Sequence, residues 1–87
     1  MSLERKRIEA DRAQRLEVNE DLQAVLDELR GEAVEAFTGS APDDRETREG
    51  AYRDIRAIDR IRELIETKLA TYQAAAHRAG RKNNGQA

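Results

Sequence analysis

The chain has 87 residues, no cysteine and a single proline, enough for one small domain at most. Lys and Arg total 16 and Asp and Glu total 18, a formal net charge of −2 with 39% of residues charged, so both signs are plentiful and interleaved. The lack of cysteine excludes a disulfide framework, a thiolate zinc site and a cysteine nucleophile. No apolar run approaches the roughly 18 residues of a membrane span, and Met1-Ser2-Leu3-Glu4-Arg5 has no apolar signal-peptide core. The expectation is a soluble, cytosolic, helical protein.

Residues 2–18 carry a thin apolar stripe of Leu3, Ile8, Ala13 and Leu16. Ser2 with Arg5 is not a capping box, so the start of this segment is weakly specified. Val18-Asn19-Glu20-Asp21 reads as a helix start, with Asn19 as cap and two acids behind it. Beyond it Leu22, Val25, Leu26, Leu29, Ala33, Ala36 and Phe37 recur at helical intervals. Thr38-Gly39-Ser40-Ala41-Pro42-Asp43-Asp44 gathers the breakers. Gly39 suits a position past a helix end, and Ser40 suits the N-cap of the next helix with Asp43 three residues on. Ala51, Tyr52, Ile55, Ile58, Ile61, Leu64, Ile65, Leu69 and Tyr72 then mark a long helix that Gly80 stops. Gly31 and Gly50 each weaken the pattern by about 1 kcal/mol against Ala. No segment alternates with period two, so no strand is expected.

These elements predict an all-α fold. Its expected form is an antiparallel helical hairpin spanning 1–79, with helices at about 2–37 and 42–79, a loop at 38–41 and a disordered tail at 80–87. Whether the first helix breaks near Asn19 is open, and a three-helix chain with residues 2–18 folded back separately is the alternative. Folding the stripes together from the loop places Leu22 and Leu26 beside Ile55, Ile58 and Ile61. It places Leu16 and Val18 beside Leu64 and Ile65, and Ile8 at the level of Tyr72 to Ala76. Ile55, Ile58, Ile61, Leu64 and Ile65 spread over roughly half the circumference of their helix, wider than a single coiled-coil seam. The chain is therefore expected to self-associate, as a dimer forming a four-helix bundle, through Leu22, Leu26, Leu29, Ile58, Ile61 and Ile65.

Motifs for chemistry are sparse. His77 is the only histidine and has no acid within one turn before it, and the pairs Asp59/Glu63 and Glu28/Glu32 lack a histidine partner. No hydroxyl stands in a nucleophile elbow or a Ser-x-x-Lys setting, and there is no Gly-rich phosphate loop. No enzyme activity, metal or cofactor is expected. Phe37, Tyr52 and Tyr72 lie on or beside the apolar stripes and are expected to pack.

The charges are unevenly placed. Residues 19–49 hold ten acids against three bases, which predicts an acidic tip around the loop that could dock a basic surface. Arg5, Lys6 and Arg7 at one end and Arg81 and Lys82 at the other form a second candidate site, for nucleic acid or another polyanion. Glu4, Glu9, Asp11 and Glu17 are interspersed, so the competing reading is a solvated face with pairs such as Asp11–Arg15 and Glu49–Arg53.

Several residues carry a resemblance. They are Arg15-Leu16 before an acidic break, Leu22 to Leu29, Glu32 to Phe37, Pro42-Asp43-Asp44, Arg48-Glu49, Ile58-Asp59-Arg60-Ile61-Arg62 and Ile65-Glu66-Thr67 to Leu69-Ala70. Over about two thirds of its length the chain thereby resembles a class of small uncharacterised bacteriophage and prophage proteins. The Trp usual near the loop in that class is replaced by Phe37 here, and a Pro at the acidic break is missing. The resemblance implies a non-catalytic virion, assembly or packaging accessory, located in the host cytoplasm or the virion. Other phage structural proteins would be its partners besides itself.

Overall fold

A computed structural model describes the backbone of residues 2–85 and the side chains of residues 2–80. Three helices follow one another: α1 (Leu3–Glu17), α2 (Glu20–Gly39) and α3 (Arg45–Gly85). The side chains of the expected tail, Arg81 and Lys82 included, lie outside the described residues. Ser2 caps α1 on its own, its hydroxyl oxygen accepting from the Arg5 N–H at 3.2 Å. α1 closes at Val18, and Asn19 opens α2 by accepting the Leu22 N–H at 2.9 Å, with Glu20 and Asp21 in the first turn. One donor-hungry turn and one carboxamide are thus enough to end one helix and start the next.

This overturns the two-helix antiparallel hairpin and with it the coiled-coil description. α1 packs on α3 in one unit, and α2 packs on α3 in another, and these are two separate contact units. The four-helix bundle expected from two hairpins loses its building block. The physical reason is the Asn19 cap: a helix that starts afresh at Glu20 leaves its first N–H groups without an intrahelical carbonyl, and the Asn19 side chain accepts that of Leu22, which makes the break at residues 18–19 inexpensive.

The turn also differs from expectation. α2 runs on through Gly39, and Ser40 is its C-cap: the Ser40 hydroxyl donates to the Phe37 carbonyl at 2.6 Å. α3 begins at Arg45, with Asp44 accepting the Thr47 N–H at 3.2 Å. Ser40 and Asp44 are both competent caps, and Pro42 between them fits a turn as well as a first helical turn, so residue types alone do not choose.

The first unit joins α1 to the part of α3 from Leu64 onward. Ala10, Ala13 and Ile65 are buried in it. Leu16 lines a groove with Leu64 and Ile65, as the loop-outward register places it. Glu9 meets Lys68 at 2.8 Å, one to two turns short of the level expected from placing Ile8 beside Tyr72 to Ala76.

The second unit runs from Asn19 to Glu63. Leu26 and Ala33 of α2 and Ala51 and Ile58 of α3 are its buried residues. Arg30 binds Asp59, Asp27 binds Arg62, and Phe37 meets Arg48, so numbers fall on α3 as they rise on α2 and the two helices are antiparallel. Alanine at half of these buried positions lets the helices approach closely but hides little apolar area.

Candidate association surface

The second unit has two unlike sides. At about 100° per residue, Leu29 and Arg30 flank the buried line of α2 on opposite sides, and Ala57 and Asp59 do the same around Ile58 on α3. One side is closed by ion pairs. Arg30 Nε donates to Asp59 Oδ1 at 2.9 Å and Nη2 to Oδ2 at 3.3 Å, a two-point guanidinium–carboxylate contact. Beside it Arg62 Nη2 donates to Asp27 Oδ1 at 2.6 Å and reaches the Gln23 carbonyl at 3.5 Å. The hydrogen bond from Arg30 holds the Asp59 carboxyl below its ordinary range, against the smaller opposing effect of burial, and it raises Arg30 in turn.

The other side is open and apolar. Leu29, Ala33 and Ala36 of α2 and Ala57 and Ile58 of α3 line a groove of about 390 Å³, with Glu32 and Asp54 also in its wall. Val25 lies one turn before Leu29, and Ile61 one turn after Ala57, and both continue the stripe. Val25 is 50% exposed, Leu29 47% and Ile61 46%.

The six side chains expected at a self-association seam therefore divide. Leu26, Ile58 and Ile65 are buried inside the chain, Leu22 is half-buried, and Leu29 and Ile61 face out. The spacing that identifies an apolar stripe does not separate its inner edge from its outer one. Val25 carries the same helical spacing and belongs with Leu29 and Ile61.

At the turn end of this unit, Phe37, Pro42, Arg45, Arg48, Glu49, Tyr52 and Arg53 line a second groove of about 690 Å³. The Arg48 guanidinium lies 4.4 Å from the centre of the Phe37 ring and donates to Ser40 Oγ at 3.4 Å. The turn was expected to be an acidic tip. Asp43, Asp44 and Glu46 are there, but the groove itself is lined by three arginines and one acid. A helical wheel of α3 from Arg45 puts Arg45, Arg48 and Tyr52 on adjoining lines, a signal that a count of charges along the chain passes over.

The candidate polyanion residues are only partly described. Arg7 is held between Glu4 at 2.6 Å and Asp11 at 3.2 Å, and its hydrogen bond and charge lower the Glu4 carboxyl. Lys6 is half-buried and Arg5 exposed. Lys68 keeps the Glu9 carboxyl low, again chiefly by hydrogen bond. Among the described residues no group of three metal-ligating side chains assembles, and no helix is long and apolar enough to cross a membrane.

No family model matches the chain, and no curated protein or solved structure matches it either. The likeness to small bacteriophage proteins gains no relative from these comparisons.

Proposed function

We propose that this protein acts through protein–protein contact without catalysis, and that the first such contact is with a second copy of itself through the open side of α2 and α3. The observation that supports this reading is the distribution of apolar side chains. Three large aliphatic residues, Leu26, Ile58 and Ile65, are buried, whereas Leu3, Ile8, Leu16, Val18, Val25, Leu29, Val34, Tyr52, Ile61 and Leu64 are all exposed. No described side chain is wholly shut off from solvent. Scattered exposed leucines are ordinary on a folded surface, but Leu29 lines one groove and Val25 and Ile61 lie a helical turn along from its lining, and contiguous apolar surface marks an interaction face.

Sedimentation velocity over a range of protein concentrations tests the reading. The native chain is expected to sediment as a dimer at micromolar concentration and to dissociate on dilution. Ile61→Asp is expected to be monomeric and still helical, because the side chain it replaces faces solvent and a charge at the interface would have to be desolvated. A native chain that stays monomeric at every concentration, or an Ile61→Asp chain that still pairs, would remove this face from consideration.

A further inference from the structure

We propose that the groove at the α2–α3 turn is a docking site for an acidic segment of a partner protein, with carboxylates held by Arg45 and Arg53 and an apolar neighbour laid against Tyr52. This site is separate from the apolar side used for self-association and does not depend on it.

Its cations are available. Arg48 is committed to the Phe37 ring and to Ser40. The guanidinium groups of Arg45 and Arg53 make no hydrogen bond or ion pair among the described residues, although Glu49 sits four residues from each. A guanidinium is weakly hydrated and presents a planar fork that matches a carboxylate, so an unpaired one at a groove is well suited to capture an acid. With Glu49 counted, the lining still carries a net of two positive charges.

Its apolar part is available too. Tyr52 is 57% exposed, and Pro42 and the arginine-capped Phe37 complete the lining. Tyrosine and arginine together are the composition of the energetic centre of protein interfaces. The groove is open and shallow, and its volume of about 690 Å³ is comparable to that of two or three side chains.

The surroundings select against a nucleic acid. Asp43, Asp44 and Glu46 stand beside the groove, and a continuous phosphate backbone crossing it would run into them. A short protein segment brings its carboxylates to the arginines and keeps clear of these acids.

Fluorescence anisotropy with the full chain tests the proposal, using a short labelled peptide of glutamates interrupted by phenylalanine. Saturable binding is expected, weakened about tenfold or more when glutamine replaces glutamate in the peptide. The double variant Arg45→Gln/Arg53→Gln is expected to lose binding to the same degree, and so is Tyr52→Ala. Thermal melts of both variants are expected to match the native one, since neither arginine side chain has a partner among the described residues and Tyr52 is 57% exposed. Arg5→Gln/Arg15→Gln removes the same charge from α1, which does not line the groove, and is expected to bind normally. The proposal is overturned by no binding at millimolar peptide, or by equal losses in both arginine pairs. Tighter binding of an oligothymidylate than of the peptide would also overturn it, in favour of nucleic acid.

Discussion

Gly31 sits in the middle of α2, exposed, and a Cβ built on it would meet nothing within 4 Å. Its backbone has negative φ, so no turn or close approach requires a glycine there. Gly31→Ala is therefore expected to stabilise the protein by about 0.5–1 kcal/mol, through a smaller loss of backbone entropy on folding. Urea denaturation measures it, and a midpoint at or below the native one would mean that α2 is strained in a way its dihedrals do not show. The same scale shows what a residue type reveals by itself. Asn19 announces its cap because two acids and an apolar repeat follow it. Ser2 has no such company, yet it caps α1. Ser40 is ambiguous for a deeper reason: a hydroxyl donates as readily as it accepts, so the same side chain closes one helix or opens another, and only the backbone around it decides.

Between elements, the structure places ion pairs across helices, Arg30–Asp59, Arg62–Asp27 and Lys68–Glu9, that spacing along one helix does not reveal. Asp11 turns to Arg7, not to Arg15, and Glu49 leaves Arg53 alone. Asp59, four residues before Glu63, is taken up by Arg30 of α2. Long side chains choose among neighbours that the fold supplies, and a sequence displays only the neighbours on its own helix. Acid sensitivity follows from these pairs. The folded-state pKa values of Asp59 and Glu9 lie below their ordinary values because Arg30 and Lys68 hydrogen-bond the ionised forms. Such groups contribute stability above the ordinary carboxylate range, and that contribution is lost as pH falls through the lowered values. Helix content followed by circular dichroism is expected to be steady near neutrality and to become easier to melt as the solution is acidified through that range. Asp59→Asn removes one titrating group, and its melting temperature is expected to be lower than native at neutral pH and to change less on acidification. An unchanged pH slope in that variant would mean that the Arg30 contact does not survive in solution. At this scale the antiparallel pairing of α2 with α3 and the neighbourhood of Leu16 with Leu64 and Ile65 were legible, because both follow from counting outward from one turn. The break between α1 and α2 is only one of the two readings the sequence allows, because a capped break and a kink share the same residues.

For the whole molecule, the arithmetic of burial decides more than the pattern of elements. Leucine, isoleucine, valine and phenylalanine are few in this chain, and among the described residues alanine occupies four of the seven buried positions. An alanine contributes little apolar area when buried, whereas Leu29 and Ile61, already about half covered, would each add roughly half of the 1.5–3 kcal/mol of a full burial. Covering Val25, Leu29 and Ile61 by a second copy would place that contribution on both chains at once. Folding and pairing are then linked, because a ligand that binds only the folded state raises its apparent stability, and here the ligand is the protein itself. The unfolding temperature of the native chain is expected to rise steadily with protein concentration, over a range in which an intrinsically stable single chain would show no change. Ile61→Asp is expected to melt at one temperature whatever its concentration, below the native value at high concentration and converging on it at high dilution. Scanning calorimetry at several concentrations gives both curves. If the native midpoint is flat and the variant merely melts lower throughout, Ile61 contributes within one chain, and the open side of α2 and α3 is ordinary solvated surface.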